Sequence, residues 1–170
     1  GQAVDDDEVR AHGLARAPHD LHRKAHAVGV AAAPGVIAVV AARSDELWRQ
    51  TCFEAFVRAS AGSAYYEFNF APSTHWAAYQ FDGYRSGMAM AAAIPAPAIT
   101  VQTSPDRYAL QTSLALDRLP ALPRTASWGL GLSAVIEETN GRKSYWALAH
   151  PPGAPDFHHS VCFAHEFSPG

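Results

Sequence analysis

Three polar residues able to do chemistry stand inside aromatic-rich runs: Glu54 in Thr51 to Val57 (TCFEAFV), and Glu67 and Asn69 in Tyr65 to Phe70 (YYEFNF). Carboxylates accept hydrogen bonds, an amide both donates and accepts, and an aromatic ring offers a flat apolar face. That set suits a sugar, whose C–H face packs on a ring while its hydroxyls need donors and acceptors. The two carboxylates, on adjacent strands, would also match the acid and base of a glycosidase, although ordinary sheet neighbours look the same. No Gly-rich phosphate loop, nucleophile elbow or Ser-His-Asp arrangement accompanies them, and Cys52 has no identifiable base. The expectation is a ligand-binding domain rather than an enzyme.

Nine histidines raise metal and haem chemistry, and His150, His158, His159 and His165 crowd the C-terminal segment. Zinc needs three or four ligands converging at about 2 Å, and this spacing lacks the paired i, i+4 histidines or the cysteine pair that promise convergence. Met88 and Met90 are the only methionines for an axial haem ligand, both in an Ala-rich stretch. His150 and His158, flanking PPGAP with Asp156, read instead as hydrogen-bonding pins of a loop at the rim of the domain, where they join the ligand-binding candidates. No metal is expected.

The elements that would position these groups are short strands. Thr51 to Val57, Tyr65 to Phe70 and Trp76 to Phe81 (WAAYQF) are separated by Ser60-Ala61-Gly62-Ser63 and Pro72-Ser73-Thr74, which predicts three consecutive antiparallel strands. Upstream, His26, Val28 and Val30 and then Val36 to Val40, around Ala33-Pro34-Gly35, predict a strand pair. Downstream, 91–98 with Pro95 and Pro97 is a crossing loop, and Ile99 to Thr103 and Tyr108 to Leu116 are strands ahead of Pro120 and Pro123. Trp128 to Glu137 and Lys143 to His150 flank Asn140-Gly141, the strongest short-range hairpin signal. Val161 to Phe167 closes the set. Turns at near-regular spacing, with 12 Gly and 12 Pro, make the fold all-β, an antiparallel β-sandwich of jelly-roll or immunoglobulin-like type.

Period-2 alternation puts Phe53, Ala55, Val57, Tyr66, Phe68, Phe70, Ala77, Tyr79 and Phe81 on a core face. The other face receives Cys52, Glu54, Phe56, Tyr65, Glu67, Asn69, Trp76, Ala78 and Gln80. It is either a ligand surface or an ordinary sheet face, covered by a loop or by a second copy, with its carboxylates satisfied by Arg58 or Arg85.

A chain of 170 residues builds one domain that buries roughly 70% of its unfolded surface. Residues 1–20, with the acidic run Asp5 to Glu8, form a partly ordered lead-in, and 21–170 form the sandwich. A net charge of −3 with scattered Lys and Arg gives no basic footprint, so nucleic acid is not an expected partner. The apolar stretches are Ala-rich and broken by Pro or Gly, so no membrane span is expected. Cys52 and Cys162 are expected as buried free thiols. No signal-peptide pattern opens the sequence, so the expected location is the cytoplasm unless a leader preceded Gly1.

LWRQTCFEAFV followed by YYEFNFAPSTHWAAYQF resembles the family 9 carbohydrate-binding modules and their DOMON-like relatives, which pass from a Cys/Ser-Val/Phe-Glu-x-Phe strand to an aromatic strand and then a Trp strand. SYWALAHPPGAPDFHHSVCFAHEF looks like the end of bacterial DOMON-like domain proteins. The resemblance implies a β-sandwich that holds a sugar, or in other branches haem. For the sugar branch it implies aromatic stacking and hydroxyl binding by Trp48, Glu54, Glu67, Asn69, Trp76, Arg85 and Trp146. No cofactor is expected; a structural calcium would have to do without the acidic doublet of the sugar-binding modules, replaced here by Gln50-Thr51. The expected partner is a carbohydrate or other small polar ligand. The alternatives are a structural or protein-interaction sandwich, with a homodimer among its forms, and a haem- or metal-binding domain.

Overall fold

The computed structural model describes 41–105, 107–116 and 119–168, together with the backbone of Glu8–Ala15 and Ile37–Ala38. The central unit is an aromatic-rich meander: β3 (Cys52–Ala59), β4 (Tyr65–Phe70), β5 (Trp76–Phe81) and the short β6 (Ala89–Met90). Strand β9 (Trp128–Glu137) returns to pair with β3. A hairpin around Asn140 and Gly141, the latter at φ 85°, then leads to β10 (Lys143–Ala147). The seven-stranded sheet therefore runs β10-β9-β3-β4-β5-β6, with β11 (His165–Phe167) pairing the start of β9.

The second sheet runs β1-β8-β7-β2, from β1 (Glu8–Ala15), β8 (Arg107–Ala115), β7 (Ala98–Ser104) and β2 (Ile37–Ala38). All named pairings are antiparallel, and the two sheets face each other as an all-β sandwich. Ala55, Phe68 and Phe70 of one sheet pack with Ile99, Leu110 and Leu114 of the other, and the Phe53 and Tyr108 rings stack across the gap at 5.7 Å. Leu116, Leu119 and Leu122 are buried in the same core.

The strands of the meander, the β7–β8 hairpin and the β9–β10 hairpin lie where alternation and turn residues predict them. Four differences stand out. Glu8–Ala15, placed in the lead-in by its acidic neighbours, is an edge strand pairing β8 along its whole length. Of the predicted Val36 to Val40 strand, Ile37–Ala38 pairs with β7, while the expected strand at His26 to Val30 lies outside the described residues. The closing strand is shorter than Val161 to Phe167, because Ser160–Cys162 forms a turn of 3-10 helix first. Finally, the 91–98 stretch crosses between the sheets and buries Ala91 and Ile94 in the core, so it does not cover the polar face of the meander.

The face assignment of β5 is inverted relative to the alternation reading. Phe70 pairs with Trp76, Phe68 with Ala78 and Tyr66 with Gln80, so Trp76 and Ala78 face the core and Ala77, Tyr79 and Phe81 share the face of Glu54 and Glu67. The turn sets this register: Ala71 N–H donates to the His75 carbonyl, Thr74 N–H to the Ala71 carbonyl, and Thr74 takes a left-handed φ of 68°. A slip of one residue in a turn flips every side chain of the next strand. Trp76 is 5% exposed and lies under the Arg43 guanidinium, which is 5.5 Å from its ring. Trp76→Ala should therefore lower stability by about 3–5 kcal/mol, measured by urea unfolding; a loss below about 1 kcal/mol would place the ring outside the core.

Candidate functional site

The outward face of the seven-stranded sheet carries polar groups that the fold then seals. Glu54 lies opposite Asn69 on the neighbouring strand, and Phe56 opposite Glu67, so both carboxyls and the amide share one face. Glu54, Glu67 and Asn69 are 5%, 5% and 0% exposed. Asn69 Nδ2 donates to Glu67 Oε1 at 2.7 Å, and the Ser133 hydroxyl on β9 donates to Glu54 Oε2 at 2.9 Å. Asn69 Oδ1 is buried with no hydrogen-bond partner.

The cover is the C-terminal segment. Phe157 and Phe163 pack with Phe56, Tyr65, Phe81 and Val135 in a second apolar cluster on this face. Glycines make the approach close enough: a Cβ on Gly131 would stand 2.7 Å from the Cys162 carbonyl oxygen, and one on Gly129 3.3 Å from the Phe163 Cβ. Both alternate onto the same face of β9, and small residues at such spacing mark a close backbone approach. Gly131 seats Cys162, whereas Cys52 pairs with Val135 farther along β9. At about 3.3 Å per residue that offset exceeds disulfide reach, and both thiols are free and buried.

His158 pins the cover, as the sequence predicts. Its Nδ1 lies 2.7 Å from the Tyr65 hydroxyl, whose oxygen also accepts from the Arg85 backbone N–H. Nε2 faces Glu67 Oε2 at 3.7 Å, too long for a hydrogen bond. At the rim, Arg85 Nη2 meets Asp156 Oδ1 at 2.7 Å, Tyr84 OH donates to Asp156 Oδ2, and the His158 N–H donates to Asp156 Oδ1. This clasp ties the turn after β5 to the C-terminal segment.

Of the sequence-predicted ligand residues, the fold brings together Glu54, Glu67, Asn69 and His158, with Arg85 at the rim. Trp48 stands nearby, half-buried edge-on against Tyr79 at 5.6 Å. Trp76 is in the sandwich core. Trp146 is 62% exposed on the opposite face of β10, paired to Ala134, and therefore does not line the cluster. His150 is exposed beside Phe157. The rings expected to form one sugar platform are thus dispersed. Sequence reasoning missed Ser133, Tyr79, Tyr84 and the paired glycines; the GLGL spacing of β9 was the one signal available for the last. Arg58, expected as a counter-ion, lies over Phe163 and donates to the Ser160 carbonyl. Among the described residues no three of His, Cys, Asp and Glu converge on a common point for a metal ion, and no helix is long and apolar enough to cross a membrane.

Burial first, and then the charge of Glu67, pushes Glu54 up to about 8, against the hydrogen bond from Ser133 and the charge of Arg85. Glu67 is also raised by burial, while Asn69 and Arg85 hold it back. Glu54 therefore keeps its proton at neutral pH. Burial, and then Arg85, lower His158 to about 4, so its imidazole is neutral. Comparison of the chain with protein-family models, curated proteins and solved structures found no match.

Two tests follow from this geometry. Gly131→Ala should lift the C-terminal segment and cost about 1–3 kcal/mol, with the His158 titration seen by NMR moving up toward its ordinary range; an unchanged titration would mean the segment is not seated there. Native Glu54 keeps, from pH 4.5 to about 8, a proton that the unfolded chain has shed, so its stabilising effect is lost as pH rises. His158 acts oppositely, losing stability as pH falls from 6.5 to about 4. Between pH 6.5 and 8, above the window in which His158 acts, Glu54 should make stability fall by up to about 1.4 kcal/mol per pH unit. Glu54→Gln should abolish this fall in thermal melts; the same slope in wild type and variant would rule it out.

Proposed function

We propose that this chain is a non-catalytic domain that binds a small polar ligand, a carbohydrate in the first instance, at the Glu54–Glu67–Asn69 cluster. The observation that carries the reading is Asn69 Oδ1, fully buried and unpartnered beside two carboxyls. Leaving such an acceptor dry costs about 1–3 kcal/mol, which a ligand hydroxyl would recover. The apolar walls from Phe56, Phe81 and Tyr79 support it, since sugars pack C–H faces on rings. The resemblance of the Cys52–Phe56 and Tyr65–Phe81 stretches to family 9 carbohydrate-binding modules and DOMON-like domains belongs to the same proposal, as does the cytoplasmic location, with which two free thiols agree. Because the carboxyls are sealed, ligand entry requires the Arg85–Asp156 clasp to open.

A second reading has its own observation. Trp146 and Leu148 are 62% and 54% exposed on one side of the edge strand β10 and just beyond it, and Tyr145, 45% exposed, lies on its other side, an apolar edge of the kind that docks another protein or a second copy. Tryptophan fluorescence and thermal shift against neutral mono- and oligosaccharides separate the two. The binding reading expects a saturable response that Asn69→Ala reduces at least tenfold in affinity. No response to any sugar, with concentration-dependent association in sedimentation that Trp146→Ser reverses, would replace it with the interaction reading.

A further inference from the structure

The cluster holds more acceptors than donors. The Ser133 hydroxyl reaches Glu54 and the Asn69 amide N–H reaches Glu67, while Asn69 Oδ1 stays unpartnered. A ligand completing it must bring N–H or O–H groups, and one that also brings positive charge makes the stronger, charge-assisted bonds. The apolar walls around the cluster include Phe56, Tyr65, Tyr79 and Phe81, and ring faces attract ammonium ions. Arg85 does not serve as the internal cation. Its guanidinium is paired with Asp156 and its side chain is 51% exposed.

We propose that the Glu54–Glu67–Asn69 cluster receives the ammonium group of an amine-bearing ligand, an amino sugar in particular. This rests on the sugar-binding reading and adds the charged group the sugar carries. Asn69 Oδ1, Glu54 and Glu67 then accept the three ammonium N–H bonds, and the proton that Glu54 holds leaves to solvent as its carboxylate forms.

The charged and titratable groups around Glu54 leave this exchange to Glu54 itself. Cys52 on the same strand is pushed up by burial and stays a thiol, and Arg58 is turned to Phe163 and Ser160. Glu67 and Tyr65 come from β4, and Tyr79 from β5 donates to Asp45. Arg85 and Asp156 neutralise each other at the rim, His158 is neutral, and Lys143 on β10 donates to the Arg49 carbonyl.

Calorimetry on the full chain at pH 7, with glucose, glucosamine and 6-amino-6-deoxyglucose in buffers of different ionisation enthalpy, tests the assignment. At least one amine should bind tenfold or more tightly than glucose and release up to one proton per site. Glu54→Gln should abolish the proton release and bring the amine-to-glucose affinity ratio to about one. If the variant does not fold, proton release by the wild type decides the question. Glucose binding as tightly as both amines, or amine binding without proton release, would overturn the ammonium assignment and leave the sugar reading standing. No binding of any of the three, nor of the wider neutral panel above, would overturn both.

Discussion

Two carboxyls with no cation between them resist both being charged when neighbouring strands set them on one face and 95% of each residue is withdrawn from water. A low-dielectric interior penalises the first charge and the neighbouring carboxylate penalises the second. The surroundings of the cluster answer that constraint. Ser133 and Asn69 each donate to one carboxyl, Arg85 contributes its field from the rim, and Glu54 holds a proton up to about pH 8. A polar group so expensive to bury is either tied into a specific network or kept for a ligand, and the unpartnered Asn69 oxygen marks the place where this network is incomplete.

The cover over the cluster depends on backbone sterics as much as on side chains. Gly129 and Gly131 remove Cβ atoms where the Cys162 to Phe163 backbone settles on β9, and this descent carries Phe157, His158 and Asp156 over the meander. His158 then acts as a neutral bridge between Tyr65 and the vicinity of Glu67. The Arg85–Asp156 pair is partly exposed, and pairs of that kind are weak in water. The segment is held by apolar packing and tied at the rim by polar contacts.

Local sequence determined which stretches are strands, and it did so for β3, β4, β5, β9 and β10 because aromatic-rich or aliphatic runs between Gly, Pro and Asn signals are local information. It also determined that Glu54, Glu67 and Asn69 share a face, since the β3 and β4 runs could be phased by their own hydrophobic pattern. Tertiary structure decided the rest. Whether Trp76 or Tyr79 joins that face depends on the left-handed backbone at Thr74, which a run of WAAYQF does not disclose, as both phases leave large rings on either side. That Glu8–Ala15 finds an edge of β8, that Ser133 reaches Glu54, and that Trp146 turns away are consequences of pairings between segments far apart in the chain. Such pairings are settled by the total burial of two sheets and a covering segment, a quantity that no single stretch of residues contains.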